Sequence, residues 1–357
     1  MLDLEPSAIP LPSPAASGLP LQPGTERIPV VSLFCGAGGL DAGFADAGFH
    51  TVYAVDSMPA AVRTFNHNAG ANVAVVCDLL KSRSTTITKA IADLSAKTGV
   101  SPRGLLGGPP CQGVSNANNQ AGPDDPRNRL FKKYCNIVLR LEEEHGLDFF
   151  VFENVPALKR ARKNLPLYHK LVGLLGNAFD LHEAILDASK FGVAQTRERL
   201  IIVGFAKRLG IKEFSLPTGS GAPTATVRTA IDGLPEPAFF TRGMDTRGFA
   251  VHPNHWTMTP KSKKFFADAP TSNDGRSFIR LEWEQQSRTV AYGNREIHVH
   301  PSGRRRISIY EAMLLQGFDS RFELTGNLSE QVTQISNAVP PPVAAAVGRA
   351  IAAVLPP

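Results

Sequence analysis

A cysteine placed directly after two prolines, in GGPPCQGVSNAN at residues 107–118, is the first candidate for chemistry in this chain. Prolines fix φ and bring no N–H, so the backbone ahead of Cys111 is kept out of helix and central strand and becomes a stiff, presented loop. A thiol held this way suits a positioned nucleophile. A Pro/Gly turn that happens to carry an inert cysteine is the competing reading, and the stretch alone does not separate them. FFVFENV, at 149–155, puts Glu153 and Asn154 at the end of an otherwise apolar strand. Burial makes a carboxyl group hold its proton more firmly, so it can hand one to a substrate nitrogen at neutral pH. Taken singly, such a glutamate is more often a helix cap or an ion-pair partner. QTRERLIIVG, at 195–204, sets Arg197 and Arg199 two apart at the start of a strand, hence on one side of it. Two guanidiniums on one face require an anionic or carbonyl partner, which a phosphate or a base would supply.

A second group of residues reads as a ligand cradle. VVSLFCGAGGLDAGFADAGF is strand, glycine turn, helix. Gly36, Gly38 and Gly39 let the backbone turn tightly and approach a ligand, and the helix behind them offers its first N–H groups. Asp56 ends the next strand, where a carboxylate can hold ribose hydroxyls, and Asp78 ends the third, within reach of an adenine amino group. The spacing is G-A-G-G rather than GxGxxG, and no GK[ST] follows, so an adenosine ligand smaller than a dinucleotide is expected.

These groups need a scaffold. From Ile28 to about residue 215, β-branched or aromatic runs (IPVVSLF, TVYAV, VAVVCD, GLLGG, FFVFENV, LHEAIL, RLIIVGFA) alternate with helical patterns (LDAGFADAGF, MPAAVRTFNHN, KAIADLSAKT, NRLFKKYCNIVLRLEEEHG, LYHKLVGLLGNAF). That order predicts βαβ units and a doubly wound, mostly parallel α/β sheet with its ligands beyond the carboxyl ends of the strands. Residues 1–27, rich in Pro, Ser and Ala, predict a disordered or loosely draped arm. After Leu216 the texture turns to Pro, Gly, Thr and Asn with both tryptophans, a separate loop-rich module carrying the basic clusters KSKK (261–264) and GRRR (303–306). Each cluster alone is as readily a solvated surface as a binding patch. PPPVAAAVGRAIAAV, near the end, predicts a buried helix with a proline-marked entry.

The 357 residues are 43% hydrophobic and 20% charged, ordinary values for a globular chain with a large core, and the net charge of +6 admits a polyanionic partner. Cys35, Cys77, Cys111 and Cys135 form neither a CxxC pair nor a Cys/His cluster, which argues against structural zinc and a disulfide framework; no metal is expected. No signal peptide or membrane span is legible, so a soluble, cytoplasmic protein is expected.

Together these segments resemble the DNA (cytosine-5) methyltransferase family, in order and over nearly everything from Val30 to Ile351. FCGAGGLDAGF resembles its first S-adenosylmethionine motif, GGPPCQGVS its nucleophile loop, FENV its acid motif and QTRERLIIVG its arginine motif. RRISIYEAMLLQGF and QISNAVPPPVAAAVGRAI resemble the two closing motifs, with a variable target-recognition stretch between. The resemblance implies a Rossmann-like S-adenosylmethionine-dependent methyltransferase fold: a large domain at 28–216, a small target-recognition domain at 217–328, and a segment at 329–357 that rejoins the large one. The small domain would act as a clamp opposite the catalytic face, with DNA between.

It also implies roles. Cys111 would add to C6 of cytosine, Glu153 would bond or protonate N3, and Arg199 with Arg197 would hold O2 and favour the thiolate. Asn154 would orient the loop. Phe34, Gly36, Gly38, Gly39, Asp56, Ser57, Asp78, Leu79, Pro109, Leu130, Asn337 and Val339 would form the cofactor pocket, and Gln112, Ser115 and Gln195 would approach DNA. The implied cofactor is S-adenosylmethionine, leaving as S-adenosylhomocysteine. The implied partner is double-stranded DNA with the target cytosine swung out of the stack, because C5 and C6 cannot be approached inside a duplex. A monomer suffices, and a bacterial-type modification enzyme is expected, with a cognate restriction endonuclease left open as a partner. The chain departs from the family at Asp56 (usually Glu), Met58 (Asp), Val114 (Phe), Leu314 (Arg), Asp319 (Pro) and Ser336 (Gly), none of which makes or breaks a bond. The rival readings are a tRNA cytosine-5 methyltransferase, a non-catalytic DNA-binding relative and a nicotinamide dehydrogenase.

Overall fold

Seven of the apolar runs form one sheet: β1 (Ile28–Leu33), β2 (Phe49–Asp56), β3 (Ala74–Val76), β4 (Gly104–Gly107), β5 (Phe149–Asn154), β6 (Phe179–Asp187) and β7 (Glu198–Ala206). The structure is a computed structural model, and it describes residues 27–110, 128–265, 279–289 and 298–357. The proposed N-terminal arm, at 1–27, lies almost wholly outside them. Within the sheet the order is β3-β2-β1-β4-β5-β7-β6. β1 pairs in parallel with β2 and β4, β2 with β3, and β4 with β5, whereas β7 runs antiparallel to β5. The order reverses between β1 and β4, so the crevice for a ligand opens at the carboxyl ends of those strands.

The helices cover both faces. α1 (Gly39–Asp46), α2 (Pro59–Ala69), α3 (Ser84–Thr98), α4 (Asn128–His145) and α5 (Leu165–Leu175) follow successive strands, and α6 (Pro341–Ala352) is the proline-entered helix expected near the end. On α4 the buried residues Leu130, Phe131, Tyr134, Cys135, Ile137, Val138 and Leu141 recur at helical spacing and make one apolar stripe. That stripe packs on Phe150 and Phe152 of β5, with Tyr134 edge-on to both rings. Alternate residues of the same strand serve the other face, where Phe149 meets Phe49 and Phe49 meets Phe44 of α1, while Gly348 of α6 lies against Phe44 and Ala47. Phe149, Phe150, Val151 and Phe152 are all fully buried, each worth about 1.5–3 kcal/mol relative to exposure. β5 is therefore a rigid rail, and the acid and amide of FENV sit at its end.

The chain divides into two compact units: one runs through Leu186 and takes in Glu198–Pro217 and Ala344–Pro357, the other comprises Asp187–Arg197 and Thr218–Val343. The second unit thus includes a short segment ahead of β7 and continues to Val343. It is loop-rich, with two-residue parallel pairings of Ala238–Phe239 with Trp256–Thr257 and of Gln195–Thr196 with Ser287–Arg288. Its helices Ile309–Leu315 and Leu328–Asn337 both begin with a capping box, Ser308 with Glu311 and Asn327 with Glu330. GRRR does not form a uniformly solvated patch. Arg305 is buried, bidentate to the fully buried Glu311 at 2.9 and 2.9 Å and bonded to Glu236 at 2.6 Å, so one of its arginines is structural. Among the described residues no helix is long and apolar enough to cross a membrane.

Candidate active site

Glu153 and Arg199 meet because of the antiparallel pairing. In the β5/β7 register Glu153 stands opposite Ile201 and Asn154 opposite Leu200, so the start of β7 lies beside the carboxyl end of β5. Arg199 reaches across that junction, its Nε 2.8 Å from Oε1 of Glu153, with the two side chains only 13% and 11% exposed. Its Nη1 donates to the carbonyl of Glu198 at 2.7 Å. A shielded pair of this kind fixes both groups in one geometry. Gly108 completes the fit: a Cβ there would stand 2.7 Å from Oε2 of Glu153, so a side chain would displace either the loop after β4 or the carboxylate.

Asn154 is buried beside this pair, and its Nδ2 donates to the carbonyl oxygen of the buried Pro109 at 2.9 Å. β5 thereby holds the stem of the GGPPC loop. Cys111, Gln112 and Ser115 lie outside the described residues.

The two arginines of QTRER part company. Strand pairing lapses at Arg197, between Gln195–Thr196 and β7, because its backbone turns to Asp187: its N–H donates to Asp187 Oδ1 at 3.1 Å and its carbonyl accepts from Ala188 N at 3.0 Å. The Arg197 side chain, 1% exposed, donates from Nη2 to the carbonyl of Ser336 at 2.6 Å within the second unit. Arg197 thus lies between the two strands, whereas Arg199 is the second residue of β7. Gln195 is fully buried in that unit, in register with Ser287. Asn337, at the end of helix Leu328–Asn337, is exposed, and Val339 is buried.

The cradle at the carboxyl end of β1 carries local backbone strain. Phe34 has φ +57°, the one described residue other than glycine in the left-handed region, a conformation costing about 1–2 kcal/mol for an L-residue. Gly36 follows at φ +54° with open space where a Cβ would stand, and α1 starts from Gly38 with no side-chain cap, leaving its first N–H groups available. Asp56 braces the turn: its Oδ2 accepts from Gly36 N at 2.9 Å and its Oδ1 from Met58 N at 2.8 Å. Burial pushes the Asp56 carboxyl above its ordinary value, against those amide bonds. Ser57 is exposed beside it. Asp78, after β3, accepts from Leu80 N at 2.9 Å. Leu79 and Leu130 are packed in the main core cluster, and Gly39 is buried in the first turn of α1.

Sequence reasoning passed over Asp41. It lies buried in the first turn of α1 and accepts from Ser32 Oγ at 3.0 Å and Thr51 Oγ1 at 2.7 Å, tying the helix to β1 and β2. Burial raises its carboxyl to about 6 against those two hydroxyls. The signal was an acidic residue two positions after the last glycine of GAGG, where only a buried partner set distinguishes it from a solvated helix N-terminus.

A seven-stranded sheet of this order, with a glycine cradle on β1, defines the Rossmann-like fold of S-adenosylmethionine-dependent methyltransferases. Residues 28–353 match the family model for C-5 cytosine-specific DNA methylases, and the chain belongs to that family. It is 32% identical over 335 residues to the Type II methyltransferase M.MthTI of Methanothermobacter thermautotrophicus, covering 87% of this chain and 93% of that one. It is 29% identical over 347 residues to the Type II methyltransferase M.NgoPII of Neisseria gonorrhoeae, covering 90% and 94%. A prophage-encoded E. coli chain described as a DNA modification methyltransferase shares the fold with a TM-score of 0.73 at 24% identity, over 92% of this chain and 99% of that one. The family uses S-adenosylmethionine. The cradle suits it: open space at Gly36, a helix start with no side-chain cap and two strand-end carboxylates match a ligand with an amino-acid end, a ribose and an adenine.

Proposed function

We propose that this protein methylates C5 of cytosine within a specific short sequence of double-stranded DNA, as the modification enzyme of a Type II restriction system. The observation that carries the reading is the Glu153–Arg199 pair, 2.8 Å apart at the end of β5, next to a loop stem that Asn154 holds at Pro109. The Type II relatives support the biological setting.

In this reading the target base leaves the stack and enters the site ring-first. Cys111 attacks C6 as the thiolate; the S–C6 bond forms, the C5=C6 pair becomes the C4=C5 bond and the C4=N3 pair goes to N3, making C5 an enamine carbon. Glu153 holds a proton at N3 and so stabilises that enamine. Arg199 keeps the carboxylate in place and, with Arg197, holds the base O2. Phe34, Gly36, Asp56, Asp78 and Pro109 would hold S-adenosylmethionine, which would supply the methyl group for C5 and leave as S-adenosylhomocysteine when its S–CH3 bond breaks. A base then removes the C5 proton, the C5=C6 bond re-forms as the S–C6 bond breaks and the thiolate leaves, and N3 gives its proton back to Glu153. Gln112 and Ser115 contact the DNA, and one chain acts per target.

The test is trapping on duplex DNA carrying 5-fluorocytosine, with S-adenosylmethionine, for wild type and Cys111→Ala, read by mass spectrometry. Fluorine at C5 cannot leave as a proton does, so an adduct mapped to Cys111 is expected and should be absent from the variant. No adduct on DNA containing every short site, with cofactor binding demonstrated, would overturn the reading; an adduct on tRNA alone would move the substrate to RNA.

A further inference from the structure

The second unit contains a polar cleft of about 380 Å³ lined by Ser189, Lys190, Thr218, Gly219, Gly221, Ala222, Thr224 and Gln286. The volume is that of a small-ligand cleft, roughly 300–1,000 Å³, but the lining is not the apolar one such clefts usually have. It offers one ammonium, three hydroxyls and an amide, and no carboxylate. The segment TGSGAPT, residues 218–224, forms one wall. It is seated against the other by Ser220 N donating to the Lys190 carbonyl at 3.0 Å, and Ala222 N donates to Ser220 Oγ at 3.3 Å. A Cβ at 219 would stand 3.0 Å from that same carbonyl, a tight contact, and Gly221 sits at φ +70°. The Asp187 carboxylate close by in sequence is turned to backbone, accepting from Ser189 N and Arg197 N at 3.1 Å each. Lys190 itself makes no ion pair or side-chain hydrogen bond among the described residues.

An ammonium, three hydroxyls and an amide around a cleft free of carboxylates are the donor set of an oxyanion site. We infer that this cleft is a phosphate site through which the second unit grips the nucleic-acid backbone, with Lys190 supplying the charge and Ser189, Thr218 and Thr224 the hydrogen bonds. This rests on the proposed action on DNA. It gives the loop-rich module a named anchor, and Lys190 lies outside all the basic clusters visible in the sequence. A backbone contact of this kind sets register and adds affinity without reading sequence.

The experiment measures binding of a duplex oligonucleotide by fluorescence anisotropy over about 50 to 200 mM salt for wild type, Lys190→Gln, Lys190→Arg and Thr218→Glu, with thermal melts to verify folding. Each phosphate neutralised contributes about 0.9 to the slope of log K against log salt. Lys190→Gln is expected to flatten the slope by about that amount, Lys190→Arg to retain it, and Thr218→Glu, which puts a carboxylate into the cleft, to weaken binding about tenfold or more. A wild-type slope in Lys190→Gln, with Thr218→Glu unaffected, overturns the inference. So does Lys190-dependent binding of inorganic phosphate with the DNA slope unaltered, which would assign the cleft to a free anion. If the 5-fluorocytosine adduct forms and the Lys190→Gln slope is unaltered, the inference alone fails; if wild type binds no duplex, both fail.

Discussion

Asn154 Nδ2 donates to the Pro109 carbonyl oxygen at 2.9 Å, which joins the end of β5 to the backbone two residues before Cys111. Both partners are buried, so neither can exchange this bond for water. Asn154→Ala is expected to leave a buried carbonyl unpaired at a cost of about 1–3 kcal/mol. Urea melts should register that loss, and single-turnover methylation should slow at least tenfold as the loop loses its stem. A variant with the wild-type rate would mean that the loop is positioned by other contacts.

Glu153 and Arg199 should behave as one unit. Glu153→Gln keeps the shape and removes the charge and the acid, and a loss of about 10²–10⁴ in turnover is expected. Arg199→Ala strands a shielded carboxylate and is expected to destabilise by about 3 kcal/mol or more. The double variant should be hardly slower than either single one and should recover part of the stability. Strictly additive losses in a double-mutant cycle would show that the 2.8 Å pair is incidental to catalysis.

Gly108 is expected to tolerate no side chain. The methyl of Gly108→Ala would stand 2.7 Å from Glu153 Oε2, and the backbone of the loop or the carboxylate must shift. A displacement near 1 Å in a catalytic group costs on the order of 100-fold in rate. Methylation kinetics should show that loss with far-ultraviolet circular dichroism unaltered; a near-wild-type rate would remove the need for the close approach.

Asp41 makes stability depend on pH in an unusual direction. Its folded carboxyl titrates near 6, above the ordinary 3.8. Between those values the folded state holds more protons than the unfolded one, so this group's contribution falls as pH rises from about 4 to 6 and is level above that. A gap of that size between folded and unfolded titration is worth roughly 3 kcal/mol. Asp41→Asn should remove this component, so that the difference between variant and wild-type unfolding free energies changes across pH 4–6 and is flat from 7 to 9. A pH-independent difference would mean that Asp41 is not proton-linked.

Much of this molecule is written in local patterns. The strand–glycine–helix order of FCGAGG, the proline stiffening ahead of Cys111, the apolar run ending in Glu153 and the alternation of elements all depend on backbone constraints or burial periodicities that act within a dozen residues. They are enough to expect the sheet, the cradle and the acid. The SxxE pattern of SIYE, the capping box at Ser308, is legible by the same local rule.

Long-range pairing decided the rest. Nothing in RLIIVGFA says that β7 enters beside β5 and runs against it, yet that choice alone brings Arg199 to Glu153; a parallel strand there would have put its start at the opposite edge. The backbone of Arg197 bonds to Asp187 and Ala188 between the two strands, and its guanidinium reaches Ser336, 139 residues on, a partner that its spacing from Arg199 does not announce. The cleft at Lys190 likewise comes from segments distant in sequence. The residue types that can do the chemistry are local information, because they answer to the chain's own stereochemistry. Which of them meet is settled by packing between elements, where the free energy depends on neighbours the local sequence does not name.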